Sequence, residues 1–203
     1  MNSSSVKSFF KVFVLCLLAL LGNVGTSFFA ARFLPSIFLD TVFTVAITFY
    51  AGLVPGLIVA AAFNPIMTFL YCNMHGAAFS VYDCLYAICG ILIVLATWFF
   101  SRDKKEFFFS RAVTILYLLT IALSSAFLSF FAASALDTFV RPLFNNTSGF
   151  STFDNFSAVL RQMKIGTFLS YLIPRIPMTV LDRIICTFAG FGIYRLALKI
   201  EGR

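Results

Sequence analysis

The residues able to do chemistry in this sequence are charged groups placed where apolar segments begin. Asp40, Asp83 and Asp182 each start a predicted apolar helix, and Arg175 and Arg183 flank the last of them. Ionisable groups at membrane depth are costly, and they are functional candidates by default. We predict that they form a binding site for a small organic molecule, with the following candidate residues: Asp40, Asn64, Asp83, Tyr86, Arg175, Asp182 and Arg183.

In such a site, phenylalanine and tyrosine rings would stack on a flat organic ring, and the charged groups would hold its polar substituents. The alternative is structural. Asp40 and Asp182 would then cap their helix starts and pair with Arg183 or Arg175, because buried charges need partners.

The sequence contains no pattern typical of catalysis or of a metal site. It has no GxSxG, no HExxH and no glycine-rich phosphate loop. The single histidine, His75, has no partner at metal-ligand spacing, and the five cysteines include no CxxC pair. We therefore predict that the chain is not an enzyme and that it binds neither a metal nor a cofactor.

The composition indicates that these groups are positioned by membrane helices. Of 203 residues, 61% are hydrophobic and 11% are charged, and the mean hydropathy is +0.97. Soluble domains carry about 25% charged residues. The sequence thus predicts an all-α integral membrane protein. Its net charge of +7 is then a topology signal and a source of lipid-headgroup contacts, and no nucleic-acid partner is expected.

The apolar runs predict a single membrane domain over residues 1–203, with six transmembrane helices. A crossing needs about 20 apolar residues. The predicted helices span approximately 9–33, 37–51, 54–72, 81–100, 112–135 and 178–200, and 136–173 is an interfacial or lid segment.

The distribution of lysine and arginine predicts the orientation. With six crossings, nine of the fifteen basic residues fall on the side that holds both termini, and six fall on the other side. Because cytoplasmic loops are enriched in basic residues, we expect a multi-pass protein of the cell membrane with both termini in the cytoplasm.

A four-residue repeat of small and polar positions runs through the second and third predicted helices. Residues four apart share a helix face. In a membrane helix such a face points toward protein, either for close packing or to line a ligand path. The repeat consists of Asp40, Thr44, Thr48 and Gly52, followed by Gly56, Ala60, Asn64, Thr68 and Cys72.

The same region resembles a known family. Residues 38–44 (FLDTVFT), 50–59 (YAGLVPGLIV) and Asn64 are similar to the second and third helices of the substrate-binding (S) components of energy-coupling-factor (ECF) transporters. Residues 180–185 (VLDRII) and 190–195 (GFGIYR) are similar to the last helix of that family. The resemblance implies an S-component-like bundle that binds a vitamin or another micronutrient at its outer face.

The resemblance also implies partners: a transmembrane coupling protein and two cytoplasmic ATPases. In many members an Ala-x-x-x-Ala surface of the first helix docks the coupling protein, and here the corresponding candidates are Ala19, Asn23, Thr26 and Ala30. Three alternatives stay open, namely a membrane sensor or accessory protein that binds a ligand without transport, a solitary S-like protein, and a purely structural membrane subunit.

Overall fold

The structure, a computed structural model, describes residues 3–34, 37–144 and 151–202, and every regular element in these ranges is helical. Short π-helical and 3-10 turns, Leu136–Val140 and Arg141–Phe144, follow directly on α7. The α-helices are α1 (Ser3–Phe33), α2 (Val42–Ala51), α3 (Leu53–His75), α4 (Val81–Cys84), α5 (Ala87–Ser101), α6 (Lys104–Phe107), α7 (Arg111–Ala135), α8 (Ser151–Gln162) and α9 (Thr167–Ile200).

Five helical segments in the described residues are long and apolar enough to cross a membrane. They are Phe10–Phe33, Leu53–His75, Val81–Ser101, Arg111–Phe144 and Thr167–Ile200, and the apolar α2 is shorter. In each segment the most apolar window is only 17–39% buried inside the protein, which is the pattern expected when lipid covers the remaining surface. The fold is therefore that of an all-α, multi-pass membrane protein, as the composition predicts.

Helix α2 lies at the centre of the bundle. Seven of its ten residues are buried, and it packs against α1, α3, α5 and α9. The small residues of the four-residue repeat allow the helices to approach closely. Between α2 and α3, a Cβ added to Gly56 would stand 2.3 Å from the Thr48 Oγ1. Between α3 and α5, one added to Gly90 would stand 3.3 Å from Ala60 Cβ. Much of the repeat is thus a close-packed face between helices.

The N-terminal part of α1 and the C-terminal end of α9 lie at one end of the bundle, which we call the basic end. Lys11 Nζ lies 2.5 Å from Glu201 Oε1, and the same oxygen accepts a hydrogen bond of 2.5 Å from Tyr50. Nearby, Lys104 lies over the rings of Phe49 and Tyr194, and partial burial there lowers the pKa of its ammonium group. The connection between α5 and α7 therefore shares this end with the two termini.

The second predicted helix begins later than the sequence indicates, at Val42 rather than at 37. Residues 37–41 are not α-helical, and Leu39 has a φ of +49°. The cause is tertiary, because a carboxylate from α9 holds the backbone amides of this segment, as described below. Sequence periodicity carries no signal for such a contact.

The last helix begins at Thr167 rather than at 178, and it contains Pro174 and Pro177. Proline usually ends a helix in water because it removes a backbone donor. In membrane helices it is tolerated where neighbouring helices and polar groups satisfy the freed carbonyls. Here α7 and α8 pack along α9, and the helix continues through both prolines.

The predicted interfacial or lid segment over 136–173 is largely helical in the described residues, with a short non-helical connection at 163–166 between α8 and α9. The chain continues from α7 as helical turns to Phe144, then forms α8, and enters α9 at Thr167. Residues 145–150 of the predicted segment lie outside the described residues. Residues 136–144 continue α7 as helical turns, the first of which packs on α9, and whether the segment acts as a lid stays a prediction.

Candidate functional site

A carboxylate of α9 fixes the entry to α2. Asp182 is fully buried, and its Oδ1 accepts hydrogen bonds from the backbone amides of Phe38 (2.8 Å) and Leu39 (2.9 Å). Two backbone donors that no helix satisfies are thereby paired, which removes the cost of burying them.

The adjacent guanidinium neutralises the acids around it. Arg183 Nη2 lies 2.6 Å from Asp182 Oδ2 and 2.8 Å from Asp40 Oδ1, and its Nη1 donates to the hydroxyl of Thr41. We call Asp182, Arg183, Asp40, Thr41 and the amides of residues 38 and 39 the α2 clasp. Ligand atoms of Asp40, Asp182 and Cys186 lie within 4.8 Å of one another. However, the guanidinium already places a positive charge against both carboxylates, so this arrangement disfavours a metal ion.

A second buried cluster surrounds Asp137, and we call it the Asp137 network. The hydroxyls of Tyr82 and Tyr86 donate to Asp137 Oδ1 over 2.6 and 2.7 Å, and Arg175 Nη2 donates to Oδ2. Arg141 Nη1 lies 4.0 Å from Asp137 Oδ1. Only 4% of Asp137 is exposed, so this anion is held almost entirely by protein donors.

Four segments bring the network together at the end of the bundle opposite the basic end. Tyr82 in α4 and Tyr86 at the start of α5 are four residues apart, and their rings meet edge to face with centroids 5.6 Å apart. Asp137 lies in the π-helical turn that follows α7, and Arg175 lies in α9. Such turns within helices occur frequently at functional sites.

Helix α8 covers this end of the bundle. Arg141 donates to both carboxylate oxygens of Asp154, over 2.7 and 3.1 Å. The hydroxyl of Ser157, which is fully buried, donates to the backbone carbonyl of Ser170 over 2.9 Å. The Arg141 Nη1 that contacts Asp154 of α8 also lies near Asp137. The Arg141 side chain therefore joins α8 to the Asp137 network.

The structure divides the sequence-predicted residues between the two clusters. Asp40, Asp182 and Arg183 belong to the α2 clasp, where both acids pair with Arg183, as in the structural alternative. The capping that this alternative also expected is not seen, because Asp182 lies inside α9 and no side chain in the described chain caps α2. Tyr86 and Arg175 belong to the Asp137 network, where the Arg175 guanidinium carbon also lies 5.9 Å from the Tyr86 ring centre.

Among the described residues, the side chains of Asp83 and Asn64 form no hydrogen bond or ion pair with either cluster. The backbone amide of Asp83 donates to the Ser80 hydroxyl over 3.3 Å, which caps α4. Asn64 is partly buried on α3. Ala60 of α3 packs on Gly90 of α5. Asn64 lies one turn after Ala60, and Tyr86 lies about one turn before Gly90, toward the same end of the bundle, so Asn64 is at the level of Tyr86.

Sequence reasoning missed the residue at the centre of the network. Asp137 and Arg141 both fall in the stretch predicted to be an interfacial or lid segment, and neither is among the candidate site residues. One signal was available: Asp137 and Arg141 are spaced i, i+4, which suits an ion pair on a continuing helix. Tyr82 has the same spacing to Tyr86, although only Tyr86 is among the residues predicted for the site.

The predicted docking residues of α1 pack inside the chain. Ala19 and Ala30 are buried, and Asn23 is fully buried, with Nδ2 2.7 Å from Thr44 Oγ1. The hydroxyl of Thr26 donates to the carbonyl of Leu39 over 2.7 Å. This face of α1 therefore contacts α2 and the segment before it, and docking through it stays a prediction.

The fold and site together define an all-α, multi-pass membrane protein with ionisable groups buried among its apolar helices. Comparisons with protein-family models, with curated proteins and with solved structures found no match to the chain.

Proposed function

We propose that this chain is the membrane-embedded substrate-binding component of a micronutrient uptake transporter. It would bind a small, vitamin-like organic molecule at the Asp137 network. The observation that carries the proposal is this network itself, an acid, an arginine and two tyrosine hydroxyls buried within apolar helices. The resemblance to ECF S components leads to the same class of function.

The chemistry of the network suits a ring that carries a polar substituent. The faces of Tyr82 and Tyr86 offer stacking area, and Arg175 and Asp137 offer one cationic and one anionic partner. Without a ligand these groups satisfy one another. A bound substrate would exchange these internal hydrogen bonds for its own, which keeps every buried polar group paired.

A six-crossing topology follows if residues 37–51 cross together. The ten residues of α2 rise about 15 Å at 1.5 Å per residue, which is half of a hydrocarbon core of about 30 Å. The non-helical segment 37–41 supplies the remaining length. Non-helical backbone is tolerated at membrane depth where protein satisfies its polar groups, and the α2 clasp does so for residues 38 and 39.

The basic end would face the cytoplasm, and the Asp137 network would face outward. The start of α1 and the end of α9 meet at the basic end, and this supports an even number of crossings such as six. The connection between α5 and α7, which carries Arg102, Lys104 and Lys105, lies at the same end. The positive-inside rule then places this end in the cytoplasm.

The partners would be a transmembrane coupling protein and two ATPases. Because the small-residue face of α1 is occupied by α2, a coupling protein would dock on another surface. The same observation favours the alternative of a solitary S-like protein that binds its substrate without this module.

Substrate binding is tested with two tyrosine variants. Purified protein is screened with vitamins by thermal unfolding, and each hit is titrated to obtain its Kd. Tyr86→Phe, which removes one hydroxyl from the Asp137 network, should weaken binding at least about tenfold, because a hydrogen bond to a charged group contributes about 1.5–3 kcal/mol. Tyr117→Phe is the matched control, since its hydroxyl contacts Glu106, outside the network and beside the basic end. Equal Kd values for both variants, or no stabilising vitamin, would remove the network from this role.

Energised uptake needs a second experiment. The tagged chain is purified from its native membrane, and co-purifying ATPase subunits are identified. Transport predicts an ATPase pair and substrate accumulation that depends on it. Binding without either result would select the solitary alternative.

A further inference from the structure

An apolar groove runs between α5 and α7 on the outer surface of the bundle. It encloses about 650 Å³ and is lined by Trp98, Phe99, Leu95, Leu123 and Phe127, among others. Phe99, Leu123 and Phe127 are each more than half exposed, so this surface meets the membrane interior rather than another helix of the chain. In a membrane, an apolar groove of this kind is filled by apolar groups.

A cation stands at one end of the groove. The guanidinium carbon of Arg102 lies 4.8 Å from the ring centre of Phe99 and 5.9 Å from that of Trp98, both of which line the groove. These cation–π contacts hold one face of the guanidinium against the rings. Its N–H groups are then directed around the edge, where they can bind a phosphate in the bidentate manner typical of arginine.

The acids nearest to Arg102 in sequence are engaged elsewhere. The carboxylate of Asp103 accepts the backbone amides of residues 105 and 106, and Glu106 accepts a hydrogen bond from Tyr117. No carboxylate in the described part of the chain forms an ion pair with Arg102. The site therefore combines an apolar channel with a cation that can accept an external anion.

We propose that the groove holds an acyl chain of an anionic phospholipid whose phosphate is bound by Arg102. The dimensions agree. Leu95 lies seven residues before Arg102, about 10 Å along the helix. The Sγ of Cys89 lies 3.7 Å from the Ser129 carbonyl oxygen, which places Phe127 at about the level of residue 91, roughly 16 Å from Arg102. The groove thus extends through about one leaflet of a bilayer whose core is about 30 Å thick.

The chain contains its own probe for this site, since Trp98 is its single tryptophan. The full-length protein is reconstituted in two sets of phosphatidylcholine vesicles. One set contains phosphatidylglycerol with brominated acyl chains, and the other contains the same mole fraction of phosphatidylcholine with brominated acyl chains. Bromine quenches tryptophan fluorescence only near contact, so quenching of Trp98 reports occupancy of the groove. The variants are Arg102→Gln and, as a control of equal charge change in the same loop, Lys105→Gln.

From the quenching of Trp98, the wild-type groove should prefer brominated phosphatidylglycerol to brominated phosphatidylcholine about fivefold. This ratio corresponds to about 1 kcal/mol, the contribution of one basic side chain at an anionic surface. Arg102→Gln should lower this ratio to about one, and Lys105→Gln should leave it close to wild type. High salt should reduce the wild-type ratio, because exposed charges are screened.

Four results would overturn the proposal. They are equal quenching of the wild type by the two lipids, a preference that survives Arg102→Gln, an equal loss in Lys105→Gln, and no quenching by either lipid. The wild-type ratio and its salt dependence decide the question even if Arg102→Gln fails to fold.

Discussion

Replacing Asp182 by asparagine tests whether the α2 clasp stabilises the fold. The substitution keeps the size and one carbonyl oxygen, so the amides of Phe38 and Leu39 can retain an acceptor. It removes the negative charge 2.6 Å from Arg183 Nη2, and it can turn an amide donor toward that nitrogen. Within the part of the chain that the structure describes, Asp40 would then be the one remaining ion-pair partner of Arg183, and the Asp40 side chain is 29% exposed.

The expected loss is about 3–5 kcal/mol, the usual cost of removing one partner from a buried ion pair. Such a loss is a large fraction of a typical folding free energy of about 5–15 kcal/mol. Unfolding is measured in mild detergent by denaturant titration, with helix content as the signal. Glu106→Gln makes the same acid-to-amide change at an exposed position, and it should stay within about 0.5 kcal/mol of wild type.

A double variant separates the lost charge from other effects. Adding Arg183→Gln to Asp182→Asn removes the uncompensated cation, so the double variant should be more stable than the sum of the two single losses predicts, by about 0.5–3 kcal/mol. If Asp182→Asn cost less than about 0.5 kcal/mol, within the range of a neutral surface substitution, the clasp would not stabilise residues 37–41 as argued here.

Two further predictions concern close contacts of α2. A Cβ at Gly190 would stand 2.6 Å from the Val42 carbonyl oxygen, so Gly190→Ala should destabilise the fold by about 1–3 kcal/mol in the same assay. Gly192→Ala, on the same helix and with no atom within 4 Å, should not, and equal effects would contradict the packing. Asn23→Ala should cost about 1–3 kcal/mol because it leaves a buried hydroxyl and a backbone amide of α2 without this partner. Asn73→Ala at an exposed position is its control, and a similar loss in both would argue against this role.

Most of the fold could be predicted from the sequence because hydropathy alone determines which segments prefer lipid. The helix boundaries that differ depend on contacts between distant residues. Asp182 is 144 positions from Phe38, and no local sequence pattern indicates that its carboxylate binds the backbone amides of the segment before α2. The early start of α9 reflects the tolerance of membrane helices for proline, which opposes the rule that applies in water.

The candidate site was predicted in part. Ionisable residues in apolar surroundings drew attention to Tyr86 and Arg175, which the structure places together. Their shared partner, Asp137, was missed because it follows the last predicted helix of that region, whereas in the structure the chain continues as helical turns that pack on α9. Residue type therefore indicated the kind of chemistry, whereas the grouping of side chains into a clasp and a network required the tertiary structure.

Cysteine labelling in intact cells tests the orientation on which the proposed binding end depends. Lys105→Cys places a thiol at the basic end, and Asn155→Cys places one on α8, and both positions are exposed. A membrane-impermeant maleimide is applied before and after permeabilisation, with the wild-type chain as the blank for native cysteines. The account predicts labelling of Asn155→Cys in intact cells, and of Lys105→Cys only after permeabilisation. The reverse pattern would place the Asp137 network on the cytoplasmic side and contradict its role in uptake.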